Sequence, residues 1–153
     1  MGNLYTIGHS TIKVEDFINL LKKFHIDYLL DVRSIPYSKY AEQFNREKLD
    51  RELTTARINY RFMGTYFGAR QKDINLYHKD GYLDFDKVRS SKEFIKRVDS
   101  VISGLEKNNI VLMCTEKDPF DCHRAIMVGR AFDLRGITLN HILHSGTLQS
   151  QAE

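Results

Sequence analysis

Residues 108–125 read NNIVLMCTEKDPFDCHRA. The stretch opens as an unbroken apolar run, 110–114, and closes as the start of a helix. A short apolar run with polar flanks suits a strand buried on both faces, as in a parallel sheet. Asp118-Pro119 suits the cap and first position of the following helix, and Gly136 suits its end. Cys114, Glu116, Lys117, Asp118, Asp121, Cys122, His123 and Arg124 are gathered on this one strand-to-helix segment.

The same rhythm extends in both directions. NLYTIG (3–8) reads as a strand, and Val14, Phe17, Ile18, Leu21 and Phe24 recur at helix spacing. DYLLDV (27–32) is a second strand. A helix over 46–56 has Asn45 as its expected N-cap, with Phe44 packing on Leu49. A strand over 58–64 follows. Ser90 and Glu93 form a capping-box pattern ahead of the apolar positions 94, 98, 101, 102 and 105. TLNHIL (138–143) is the last expected strand. Strand–helix alternation predicts an α/β protein. The expectation is a single three-layer domain over 1–153, with a mostly parallel sheet of about five strands and helices on both faces. Residues 65–90, tyrosine-rich and mixed in charge, interrupt the pattern. They read either as a loop or lid insertion containing a short helix, or as an irregular layer that covers the core. The polar stretch 146–153 is expected to be a flexible tail.

A chain of 153 residues with net charge +3 fits one ordinary core and permits an anionic partner. Two cysteines are too few for a disulfide scaffold, which points to a reducing, cytoplasmic setting. No stretch is apolar enough to span a membrane, so no membrane partner is expected. The N-terminus lacks the layout of a secretory signal. Met1-Gly2 is no myristoylation site on this reading, because Tyr5 and Ile7 belong to a buried strand. The sequence specifies no oligomeric state.

Parallel sheets bind ligands beyond the carboxyl ends of their strands. There this chain places His9 and Ser10, then Asp31, Arg33 and Ser38, then Cys114, Glu116 and Lys117. Cys114 is either a nucleophile favoured by the helix N-terminus or a small buried hydrophobe. Glu116 is a candidate general acid or base, as is His9. His123 and Arg124 lie where helix N–H groups can meet an anion, although Arg124 could equally pair with Asp31 or Glu116. Arg33 faces the same choice. Arg70, in the 65–90 segment, is a further substrate-binding candidate. Cys122 falls on the apolar side of its helix. No metal and no cofactor are expected: paired Cys-x-x-Cys spacing, a Walker loop and a dinucleotide fingerprint are all absent.

TIGHST (6–11), LLDVRSIPYSK (29–39) with QFN (43–45), and LMCTEKDPFDCHR (112–124) followed by NHIL resemble the domain of unknown function 488 family. The likeness runs over roughly 4–146, and three long motifs in order make it specific. It implies a compact α/β fold and a motif set of His9, Ser10, Asp31, Arg33, Pro36, Ser38, Phe44, Asn45, Cys114, Glu116, Pro119, Cys122, His123 and Arg124, but no reaction. One departure is Phe67-Gly68-Ala69-Arg70, where relatives tend to Leu-Gly-Gly. A fainter likeness to rhodanese-like domains rests on an Asp-Val-Arg strand before a cysteine strand. Phe120 stands where the Arg closing their anion loop would be, and Glu116 and Asp118 oppose an anion there.

These residues point to an enzyme, a hydrolase or group transferase for a small anionic or nucleotide-like ligand. Catalytic roles are expected for Cys114, Glu116, His9 and Asp31, and substrate contacts for Ser10, Arg33, Ser38, Arg70, Lys117, His123 and Arg124. One version cleaves a glycosidic bond with Glu116 and Asp31 as the two carboxylates. Another uses Cys114 as nucleophile. The alternatives are a non-catalytic module for nucleic acid or nucleotide, a rhodanese-like transferase, and a purely structural polar network.

Overall fold

The computed structural model describes residues 1–68, 70–119 and 124–151, with the backbone alone for 124–126. Strands β1 (Leu4–Gly8), β2 (Tyr28–Asp31), β3 (Asn59–Phe62), β4 (Ile110–Cys114), β5 (Leu139–Ile142) and β6 (Leu148–Ser150) form one sheet in the order β3-β2-β4-β1-β5-β6. Five strands run parallel, and β6 joins β5 antiparallel. The polar tail expected to be flexible therefore supplies an edge strand. Its Leu148 is 42% exposed, and a half-solvated strand needs no apolar run to form.

The helices expected after β1, after β2 and ahead of β4 are present. Helix α1 (Val14–Lys23) buries Phe17, Ile18 and Leu21, and α2 (Arg46–Thr55) buries Leu49 and Leu53. They cover the face of the sheet that carries Tyr5, Ile7, Leu29, Val111 and Met113. Helix α5 (Lys92–Gly104) packs Phe94, Val98 and Val101 on the opposite face, against Leu4, Leu30, Leu112 and Cys114. The short helices α3 (Gly64–Phe67), α4 (Phe85–Ser90) and α6 (Arg130–Asp133) add Phe67, Val88 and Phe132 to that layer. Arg124–Gly129 wind as a π-helix into α6, and Gly136 stops the segment at φ +74°. The result is three layers. Central β4 is buried throughout, as its apolar run required.

Two expected caps form differently. Asn45 occupies the cap position of α2, but its Oδ1 accepts from the Ser38 N–H at 2.7 Å. The side chain ties down the loop after β2 instead of the helix end. Phe44 and Leu49 are both fully buried, as a staple requires. Ser91, not Ser90, precedes α5, and its hydroxyl donates to the Val88 carbonyl. The cap expected at Asp118-Pro119 leads into residues outside those described.

Candidate functional site at the carboxyl rim

The register lines the strand ends up. Gly8 pairs with Cys114, and Asp31 pairs with both Met113 and Phe62. Beyond the pairs, the His9 N–H donates to the Cys114 carbonyl at 2.9 Å and the Ser10 N–H to the Thr115 carbonyl at 2.8 Å. Ser10 sits at φ +47°, a left-handed conformation that turns the chain off β1. The connections after β1 and β2 lead to the α1/α2 face, whereas the connection after β4 leads to the other. Both neighbours of β4 therefore diverge from it at this rim, which opens crevices there.

Asp31 is fully buried and accepts four hydrogen bonds. Its Oδ1 accepts from the Arg33 backbone N–H at 3.1 Å and from Arg33 Nε at 2.9 Å. Its Oδ2 accepts from Arg33 Nη2 at 2.7 Å and from the Tyr60 hydroxyl at 2.6 Å. The guanidinium is thus gripped in two places, which fixes its plane. Burial, then the Asp31 charge, pushes the Tyr60 phenol above its usual range, so it remains a donor. Arg33 Nη1 lies 3.2 Å from His9 Nε2. Arginine cannot accept, so Nε2 carries the lone pair and Nδ1 donates to the Ser10 carbonyl at 2.7 Å. Burial lowers the His9 pKa to about 4, which keeps this neutral form near pH 7. The ring stacks on Phe44 with centroids 4.6 Å apart.

His9 and Asp31, expected to act on substrate, thus have every polar side-chain atom engaged and are 0% exposed. Their geometry holds Arg33. That residue has five N–H donors on its guanidinium, and three of them meet Asp31 and His9. Arg33 also lines a cleft of about 260 Å³ with Ser34, Ile35, Arg70, Cys114, Thr115 and Glu116. The Ser34 hydroxyl accepts from the Arg70 N–H at 2.8 Å and holds that segment to the rim. Gly64 permits the close packing: an added Cβ would lie 1.9 Å from the Arg33 carbonyl oxygen.

The remaining expected residues separate. Cys114 is 1% exposed at the floor of the cleft, while Glu116 and Lys117 are exposed. Ser38 is used locally, its hydroxyl accepting from the Tyr40 N–H at 3.1 Å. Ser10 lies at the rim but not among the cleft residues. His123 and the Arg124 side chain, and with them Cys122, fall outside the described residues. Glu116 and Lys117 also line a second cleft of about 690 Å³ with Pro119, Leu143, His144 and Gln149. His144 was not picked out from the sequence. It stands directly beyond β5, so the strand-end rule that found the others would have found it.

A three-layer, mostly parallel α/β domain with a cleft lined by two arginines, a cysteine and a glutamate at its switch point is the class these features define. The model for a domain of unknown function, DUF488, matches residues 13–131, and the chain belongs to that family. No curated protein and no solved structure gave a match. Among the described residues, no helix is long and apolar enough to cross a membrane.

Proposed function

We propose that this protein is an enzyme, a hydrolase or group transferase, acting on a small anionic, nucleotide-like substrate in the cleft between the ends of β2 and β4. The observation that carries this reading is Arg33. A guanidinium that is 5% exposed, clamped by Asp31 and His9, lines a cleft together with a second arginine, a thiol and a carboxylate. A fixed cation that touches a cavity is a prepared anion site, because its ordering is complete before the ligand arrives. In this reading Arg33 and Arg70 bind the anion, and Asp31, His9 and Tyr60 are positioning residues. The chemistry falls to Cys114 or Glu116. A pair of catalytic carboxylates that includes Asp31 has little support, because Asp31 is fully buried and engaged.

A cysteine-based transferase is the second reading. It is favoured by the pairing of β2, which ends at Asp31 and leads into Val32 and Arg33, directly beside β4, which ends in Cys114. The two readings share the anion site and differ in the reacting atom. Once a turnover assay exists, loss of activity in Cys114→Ser with retention in Glu116→Gln selects the thiol, and the reverse selects the carboxylate.

The anion site is tested by thermal unfolding with inorganic phosphate, adenosine monophosphate (AMP) and neutral adenosine, in wild type and Arg33→Lys. A ligand at a hundredfold its Kd should raise Tm by roughly 5–10 °C for a domain of this size. The anions should do so and adenosine should not. Arg33→Lys should lose the response, because an ammonium cannot grip Asp31 in two places and still face the cleft. No stabilisation by any anion would contradict the proposal.

A further inference from the structure

His144 occupies the turn between β5 and β6, and this turn is tightly held. The Leu143 N–H donates to the Thr147 carbonyl at 2.9 Å, and the Gly146 N–H donates to the Leu143 carbonyl at 2.9 Å. Lys23 Nζ donates to the Gly146 carbonyl at 2.6 Å. Gly146 itself has φ +87°, which glycine adopts without strain. The held turn brings His144 Nε2 to 2.5 Å from the Gly8 carbonyl oxygen. A carbonyl only accepts, so Nε2 carries a proton, and in the neutral imidazole Nδ1 then carries the lone pair. The imidazole therefore has one nitrogen fastened to the backbone, and the other is an acceptor on a side chain that lines the second cleft. The same cleft contains Leu143 and Pro119 as apolar surface and Lys117, Asp118, Ser145 and Gln149 as polar groups, and it shares Glu116 with the anion cleft.

Resting on the reading of the first cleft as an anion site, we infer that the second cleft is its companion subsite and that the substrate is an organic phosphate of nucleotide size. The phosphate meets Arg33 and Arg70, and its hydroxylated or heterocyclic body crosses Glu116 into the second cleft. His144 Nδ1 accepts a hydrogen bond there from an O–H or N–H of that body. A volume of about 690 Å³ lies within the ordinary range for organic ligands, whereas about 260 Å³ suits a small anionic group. The fixed tautomer makes the site selective. An acceptor held in place rewards a ligand that brings a donor and gives nothing to a bare anion.

Calorimetric titration of the full chain with inorganic phosphate and with AMP tests this inference. Wild type should bind AMP about tenfold or more tightly than phosphate, the scale of one or two added hydrogen bonds and some apolar contact. His144→Leu removes the imidazole acceptor together with the donor to the Gly8 carbonyl and keeps an apolar side chain at the cleft. It should weaken AMP severalfold and leave phosphate unchanged. Leu143→Trp, which fills the cleft without touching Arg33, should bring AMP to the phosphate level, and it decides the matter should His144→Leu fail to fold. Equal AMP affinity in all three proteins, or AMP no tighter than phosphate in wild type, would overturn the subsite while the anion site stands. Binding of neither probe would remove the anion site and the subsite with it.

Discussion

Replacing Asp31 with alanine leaves four donors facing the vacated position: the Arg33 N–H, Nε and Nη2, and the Tyr60 hydroxyl. Arg33 is 5% exposed, so water does not replace the lost carboxylate easily. Breaking a buried ion pair from one side costs about 3–5 kcal/mol. Against a total stability of about 5–15 kcal/mol, that is enough to unfold a weak domain. Urea denaturation followed by circular dichroism should show a midpoint lowered by roughly 2 M, taking a slope of about 2 kcal/mol/M. Tyr60→Phe is the control. It removes one bond to a charged acceptor that still keeps Arg33 Nη2, and should cost about 1.5–3 kcal/mol. The double change Asp31→Leu with Arg33→Met removes both charges and should recover much of the lost stability, because an apolar pair avoids desolvating either ion. It should still bind no anion. An Asp31→Ala protein within about 1 kcal/mol of wild type would refute the claim that this pair locks Arg33.

Two further outcomes follow from the same geometry. The His9 pKa is lowered to about 4 from an ordinary 6.5, so on acidification the unfolded chain takes up this proton first. Stability should fall as pH drops from 6.5 toward 4, by about 3 kcal/mol from this group, and the group adds no further loss below that. The difference between wild type and His9→Gln in urea midpoints across that window measures it, and parallel curves would contradict the assigned neutral histidine. Gly64→Ala would drive a methyl group into the Arg33 carbonyl oxygen, 1.9 Å from the added carbon. Since both partners are constrained at the rim, stability should fall by about 1–3 kcal/mol and anion affinity with it, which denaturation and titration of the same preparation would show.

The parallel core was legible because buried strands carry unbroken apolar runs: IVLMC became β4 and YLLD became β2. The edge was not. β6 consists of Leu148, Gln149 and Ser150, half solvated, and its pairing depends on the turn after β5 instead of on any local pattern. His144 lies outside the polar tail, two residues beyond the end of β5, where the strand-end rule does reach it. Convergence of polar residues at the carboxyl rim was also legible, from the strand-end rule alone. The division of labour within it was not. Nothing in the local sequence says that Asp31 turns back to grip Arg33, two residues on, or that Tyr60 from the neighbouring strand completes the grip. Asn45 shows the same limit. A residue suited to cap a helix was drawn to a loop N–H seven residues earlier, because the fold brought that donor within 2.7 Å.

The most direct test of the account is to titrate isotopically labelled protein with AMP and follow its backbone amides and the Arg33 Nε–H by nuclear magnetic resonance. Shifts concentrated at Arg33, Ser34, Arg70, Thr115 and Glu116, with Asn59 and Asn108 at the opposite end of the sheet unmoved, are the predicted result. An unmoved Arg33 Nε–H, or shifts gathered away from the ends of β2 and β4, would contradict it.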